Sequence, residues 1–290
     1  MLAMKRILAP VDFSDRSVGA ARYVKALAEH FDADATLLHV LPPPHYEFSS
    51  MEVGGAVISE LFETRTQQVR QELDAYLVED LPGLRAERVL IEGDPARKIV
   101  EFADDNGMNL IVVPTHGYGP FRRFILGSVT AKILHDSDCP VWTGVHLEDA
   151  PAVEKIEFKT VLAAVDLGEQ SGKVLAWAAA FAKSYGARLL LMHAMPCGEE
   201  GAGEQQDPER KRRFADQCGA AIDELLAQVP CEAEVMTECG DPPEVVCSAA
   251  AQTGAGLLVI GRGSATGVFG RLRANAYSII RTSPCPVVSV

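Results

Sequence analysis

The sequence predicts an α/β protein in which one doubly wound, five-stranded parallel sheet with helices on both faces is built twice. Three observations lead there. First, the chain repeats itself: residues 7–12 (ILAPVD) return as 161–166 (VLAAVD) at an offset of 154, and Cys139-Pro140-Val141 returns as Cys285-Pro286-Val287 at 146. Internal repetition has to be sought first, because missing it misreads the whole fold. Second, each half alternates short apolar runs with stretches of helical period, and strands joined by helical crossovers form a parallel sheet. Third, 290 residues hold two domains of ordinary size, at about 100 to 200 residues each.

The elements of the first half follow in order. Apolar runs rich in β-branched residues at 7–11, 36–41, 88–91, 110–114 and 141–145 have the composition of strands buried on both faces. Between the first two, Val18, Ala21, Val24, Leu27, Ala28 and Phe31 recur at three-to-four spacing behind Ser14, a candidate N-cap. Val174, Ala178, Phe181 and Tyr185 repeat that period in the second half. The second strand, 35–40 (ATLLHV), returns at 187–194 (ARLLLMHA) with one residue of play. Gly93-Asp94-Pro95 returns as Gly240-Asp241-Pro242, and 110–113 (LIVV) as 257–260 (LLVI), both at an offset of 147. The falling offset locates the length difference between the second and third strands, where 42–59 faces a shorter acidic loop at 198–207. The seam is 147–157, a polar stretch with Pro151, which gives domains at 1–147 and 156–290.

Composition excludes several classes of function. A hydrophobic share of 48% with 23% charged residues suits a globular protein, and no run reaches the roughly 18 to 20 apolar residues of a membrane helix. The N-terminal residues carry Lys5, Arg6 and Asp12 with no apolar stretch ending at a small-residue cleavage site, so a cytoplasmic location is expected. A net charge of −13 repels a nucleic-acid duplex or an anionic membrane at long range, but leaves room for a local positive site. Six of the seven cysteines lie in the second half, none in a CxxC pair or at metal-finger spacing from histidine. Small buried thiols in a reducing compartment, with no metal, are the expectation.

In doubly wound sheets ligands bind beyond the carboxyl ends of the strands, where strand order reverses. Three loops qualify, following Asp12, Val40 and Pro114. The third is the most informative: Pro114-Thr115-His116-Gly117, then nine residues at 118–126, then Gly127-Ser128-Val129-Thr130 opening a helix. Glycines let main-chain N–H groups approach an anion, the helix start adds unpaired donors, and the Ser128 hydroxyl joins them. Arg122 and Arg123 either add positive charge near a triphosphate or form a solvated loop face.

This stretch is similar to the G-x2-G-x9-G-[S/T] nucleotide motif of the universal stress protein family, and residues 7–12 resemble that family's first strand. The likeness covers both halves almost entirely. It implies a Rossmann-like sheet that holds ATP, with or without magnesium. Carried onto this sequence, adenine and ribose fall to Pro10, Val11, Asp12 and Val40, with Pro114 and Thr115 close by; His116, inside the loop, is a further candidate for contact with the ligand. The phosphates fall to Gly117, Gly127, Ser128, Val129 and Thr130. One departure concerns the first glycine of the motif, here Pro114, which offers no N–H. The second copy departs further: Gly261-Arg262-Gly263-Ser264 keeps the first glycine, but Ser264, Ala274 and Asn275 replace the second glycine, the third glycine and the hydroxyl residue. A copy without nucleotide is expected there, although Asp166 keeps the adenine-side carboxylate. The resemblance also implies pairing through the last strands, as an internal pseudo-dimer of the two copies and as a homodimer.

The expected function is that of a universal stress protein binding ATP or another adenine nucleotide in its first domain, in stress response or signalling. Two other readings stay open. A scaffold without nucleotide would act through protein partners. A slow ATPase would need a general base, and none is visible beside Ser128; GxxxxGK[ST], HExxH and GxSxG are all absent. His39 and His193 read as packing residues at equivalent strand ends.

Overall fold

Apolar strands alternate with helices in the order the sequence leads one to expect. A computed structural model describes residues 2–43, 55–115, 126–144, 147, 150–195, 208–262 and 274–290. It divides into two compact units, Ala3–Ile156 and Glu157–Val290 with Met1–Leu2.

The first unit contains β1 (Arg6–Pro10), α1 (Asp15–Phe31), β2 (Asp34–Leu41), α2 (Gly55–Ala75), β3 (Ala86–Glu92), α3 (Pro95–Asp105), β4 (Leu110–Val112), α4 (Ser128–Asp136) and β5 (Val141–Thr143). Its strands run parallel in the order β3-β2-β1-β4-β5. The second repeats the plan with β6 (Thr160–Val165), α5 (Ser171–Tyr185), β7 (Arg188–Met195), α6 (Pro208–Gln228), β8 (Glu234–Cys239), α7 (Pro242–Thr253), β9 (Leu257–Ile260), α8 (Ala274–Thr282) and β10 (Val287–Ser289). Its strands run parallel in the order β8-β7-β6-β9-β10. The chain moves outward from β1 to β3 and returns to lay β4 on the other side of β1. Strand order therefore reverses between β1 and β4, and between β6 and β9, which opens a crevice at the carboxyl ends of those pairs.

The core lies where the runs of the sequence put it. Ile7, Leu8, Leu37, Leu110, Ile111 and Val141 are buried, as are Val161, Leu162, Leu190, Leu257 and Val287 in the second unit. Burial on both faces needs helices on both sides of a sheet. On α1, Ala20, Ala21, Val24 and Leu27 turn inward at the expected spacing. Among the described residues no helix is long and apolar enough to cross a membrane.

Several expectations are corrected in detail. Ladder bonding runs as far as Val113, whose N–H donates to Trp142 O at 2.9 Å, and then stops at Pro114, which has no N–H. The Gly-Asp-Pro turn demands glycine for a physical reason: φ is +144° at Gly93 and +154° at Gly240. Both amides return to the preceding strand of the sheet, Gly93 N–H to Leu41 O and Gly240 N–H to Met195 O, each at 3.1 Å. The seam packs on the first unit. Leu147 and Ala150 are buried, and the Arg22 guanidinium donates to Ala150 O at 2.5 Å. Gly19 of α1 approaches this segment so closely that a Cβ there would lie 1.5 Å from Leu147 O. Cys139, Cys218, Cys231, Cys247 and Cys285 are free thiols, whereas Cys239 is disulfide-bonded, contrary to expectation. Cys239 sits at the end of β8, opposite Met195 in the register of β7 and β8. Cys197 lies outside the described residues.

Candidate functional site

At the carboxyl end of β1 the backbone turns sharply, and Asp12 organises the turn. Its Oδ1 accepts the Ser14 N–H at 3.1 Å, the Ser14 hydroxyl at 2.5 Å and the Ser17 hydroxyl at 2.7 Å. Ser14 stands at the N-cap position of α1 but makes no side-chain capping bond, since its hydroxyl is committed to Asp12. Among the described residues Oδ2 of Asp12 takes no bond, so one oxygen of the half-buried carboxylate remains for a ligand.

Phe13 follows in the left-handed region, at φ +64°, a conformation that costs a bulky residue energy. Its ring stacks on His39 at 4.5 Å and meets Tyr76 edge-on at 5.2 Å. His39 Nδ1 lies 2.8 Å from Val11 O. A carbonyl only accepts, so Nδ1 carries the proton and holds the ring against the end of β1. The Val11 N–H donates to Leu38 O at 2.9 Å, and Pro10 is in register with Leu38. Val40 is buried on β2 opposite Ile91.

Across the crevice, the two ends of the glycine loop are tied together at their neck. The Gly127 N–H donates to Thr115 O at 2.7 Å, and the Thr130 hydroxyl donates to Pro114 O at 2.9 Å. Two of the expected phosphate donors, the Gly127 amide and the Thr130 hydroxyl, are thus committed to shaping the loop. The N–H groups of Ser128, Val129 and Thr130 remain. They form the first turn of α4, where no intrahelical acceptor exists, and Gly127, at the N-cap, supplies no side chain to cap them. Unpaired amides with the positive end of the helix dipole make a site for an anion. His116, Gly117, Arg122 and Arg123 lie outside the described residues.

The second unit repeats the first turn. Asp166 Oδ1 accepts the Gly168 N–H at 2.9 Å and the Ser171 hydroxyl at 3.4 Å, Leu167 has φ +58°, and His193 Nδ1 lies 2.9 Å from Val165 O. A cavity of about 580 Å³ opens over the carboxyl ends of β6, β7 and β9, with Asp166, Ser171, His193, Ile260, Asn275 and Ile279 in its wall. Among the described residues no group of three or more His, Cys, Asp or Glu side chains is placed to hold a metal.

The model of the universal stress protein family matches residues 4–143 and again 157–290. The chain belongs to the universal stress protein family. Individual relatives match one copy at a time. A universal stress protein of Methanocaldococcus jannaschii is 32% identical over 137 residues, covering 47% of this chain and 79% of the relative. A second from the same organism is 28% identical over 150 residues, covering 47% of the chain and 92% of the relative. The crystal structure of a universal stress protein from Archaeoglobus fulgidus covers 100% of this chain and 97% of its own, with a TM-score of 0.67 at 23% identity, a likeness of fold.

As a tandem universal stress protein, the chain brings Pro10, Val11 and Asp12 to the same crevice as Pro114, Thr115, Gly127, Ser128, Val129 and Thr130. Val40 lies one strand away. Sequence reasoning missed Phe13, Ser17 and Tyr76, which shape the turn after β1. One signal was there to be found: Asp12 and Ser17 stand five residues apart, as do Asp166 and Ser171. Nothing in the sequence points to a phenylalanine in the left-handed region.

Proposed function

We propose that the first unit binds an adenine nucleotide such as ATP, with or without magnesium, and that the chain acts in stress response or signalling from the cytoplasm. The carrying observation is the first turn of α4. Three main-chain N–H groups, of Ser128, Val129 and Thr130, lie without an intrahelical acceptor at the same end of the sheet as the Asp12 carboxylate. That pairing suits a ligand with phosphates at one end and hydrogen-bond donors at the other. Pro114 gives its carbonyl to Thr130 and has no amide to offer a ligand. The proposed phosphate contacts therefore begin at α4, with His116 and Gly117 as further candidates.

Binding without turnover is part of the proposal. Among the described residues no His, Asp or Glu side chain is hydrogen-bonded to Ser128, so none of these is positioned to draw a proton there. Association through the short apolar strands that close each sheet, within the chain or between two chains, is also proposed, and crosslinking with mass determination tests it.

A thermal-shift titration with ATP and magnesium checks the binding. A ligand at a hundredfold its dissociation constant stabilises by about 2.7 kcal/mol. Wild type is expected to rise in Tm, and Asp12→Ala to lose most of the rise. An equal rise in both, or none in wild type at millimolar ATP, contradicts the proposal and favours a scaffold without nucleotide.

A further inference from the structure

Arg6, Asp34 and Ala86 open β1, β2 and β3 of the first unit, at the end of the sheet opposite its crevice. A groove of about 570 Å³ lies there, within the roughly 300 to 1,000 Å³ of small-molecule sites. Phe102, Met108, Ala35 and Ala86 make its apolar wall, and its exposed rim carries two cations, Arg6 and Arg85, and two anions, Asp34 and Glu87. Arg6 is in register with Asp34, and Thr36 with Glu87. Arg85 comes beside Asp34, because the next residues, Ala86 and Ala35, are in register. Neighbouring strands lie about 4.8 Å apart, so the charges alternate in sign across three strands over about 10 Å. The Arg6 guanidinium donates to Asn106 O at 2.7 Å, and among the described residues no ion pair joins any two of the four.

The second unit shows what these positions do when they serve structure alone. Thr160 is in register with Arg188 as Arg6 is with Asp34, and Leu190 with Glu234 as Thr36 is with Glu87. The Arg188 guanidinium donates from Nε to Glu234 Oε1 at 2.6 Å and from Nη2 to Oε2, so the two side chains are committed to each other. At the offset of 147, Phe102 and Met108 become Ala249 and Ala255, both buried. The large apolar wall and the charges not joined to one another belong to the first unit.

We infer that this groove binds a short zwitterion with an apolar body, of the dipeptide class. Four charges that sum to zero favour neither a polyanion nor a polycation, whereas a molecule with one charge of each sign meets both kinds. The guanidinium forks donate to its carboxylate, and the Asp34 and Glu87 carboxylates accept from its ammonium. Its side chain covers Phe102 and Met108 and contributes in proportion to that area. An extended dipeptide spans about 7 Å, and the arginine stems cover the rest of the distance. The rim is exposed, so water screens each pair and weak, millimolar binding through several contacts is expected. The site lies at the other end of the strands from the proposed nucleotide and does not depend on it.

Methionine-methyl NMR of the full chain tests the inference with alanyl-phenylalanine as the probe. Its N-acetyl form keeps only the carboxylate, and its C-terminal amide keeps only the ammonium. Met108 reports on the groove, and Met192, buried on β7, is the control. The dipeptide is expected to shift Met108 saturably and to leave Met192 in place, with each blocked form binding about threefold or more weakly. Arg85→Gln and Glu87→Gln, both at exposed positions, are each expected to weaken the dipeptide by a similar factor. A Met108 signal unmoved by the dipeptide, a blocked form that binds as well as the zwitterion, or binding undiminished in both variants would overturn the inference.

Discussion

Burial sets the chemistry of Cys285. Its surroundings push the thiol up to about 11 from an ordinary 9.0, against the opposing hydrogen bond with Ser283. A raised pKa means that the folded state holds the proton more tightly. The stabilisation is therefore complete below the ordinary thiol range and lost as pH rises towards 11. Native protein at pH 8 is expected to leave Cys285 unmodified by iodoacetamide, with labelling only on unfolding; peptide mapping reads the result. Labelling of the native thiol at the rate of a free cysteine would contradict that. Residues of the site differ in how far their roles could be read. Asp12 stands out by type and repetition, and Gly127 by its place before Ser128 in the glycine motif. The commitment of the Gly127 amide to Thr115 O was invisible, because it depends on how the loop closes in space.

At the scale of elements, the two copies test one another. Asp94 caps α3 by accepting the Arg97 N–H at 3.0 Å, whereas the equivalent Asp241 makes no such bond on α7. Asp94→Ala is therefore expected to cost about 1 kcal/mol at neutral pH, and Asp241→Ala distinctly less. Denaturant titrations of both variants measure the difference. The Arg97 amide, and after it Lys132, hold the Asp94 carboxyl below its ordinary range. A lowered pKa makes the cap's contribution present above that range and lost as pH falls through it, so the gap between wild type and Asp94→Ala should close in acid. Equal costs for both aspartates would mean that the cap geometry does not decide. Strand order and helix period were legible because burial on both faces leaves a continuous apolar signal. Strand ends were not: β4 stops at Val112 although apolar residues continue, since Pro114 cannot extend the ladder.

For the whole molecule, duplication was legible from repeated words of sequence, while the ownership of the seam was not. The seam reads as a polar stretch with Pro151, yet Leu147 and Ala150 are buried and pack on Gly19 and Arg22 of α1. The signal lay in a single glycine, which a sequence alone does not distinguish from a weak helix position. Gly19→Ala is expected to destabilise the first unit by about 1 to 3 kcal/mol, because the clash is with a backbone oxygen and no side chain can step aside. An unchanged denaturation midpoint would show that the segment is not held there. Two copies with the same turn after β1 and β6 but different helix starts lead to one central claim, a nucleotide in the first crevice and none in the second. Equilibrium dialysis of the full chain against labelled ATP with magnesium tests it most directly. One nucleotide per chain is expected for wild type, and none for Gly127→Val, where a branched side chain enters the neck of the loop; two per chain in wild type, or one that survives Gly127→Val undiminished, would contradict it.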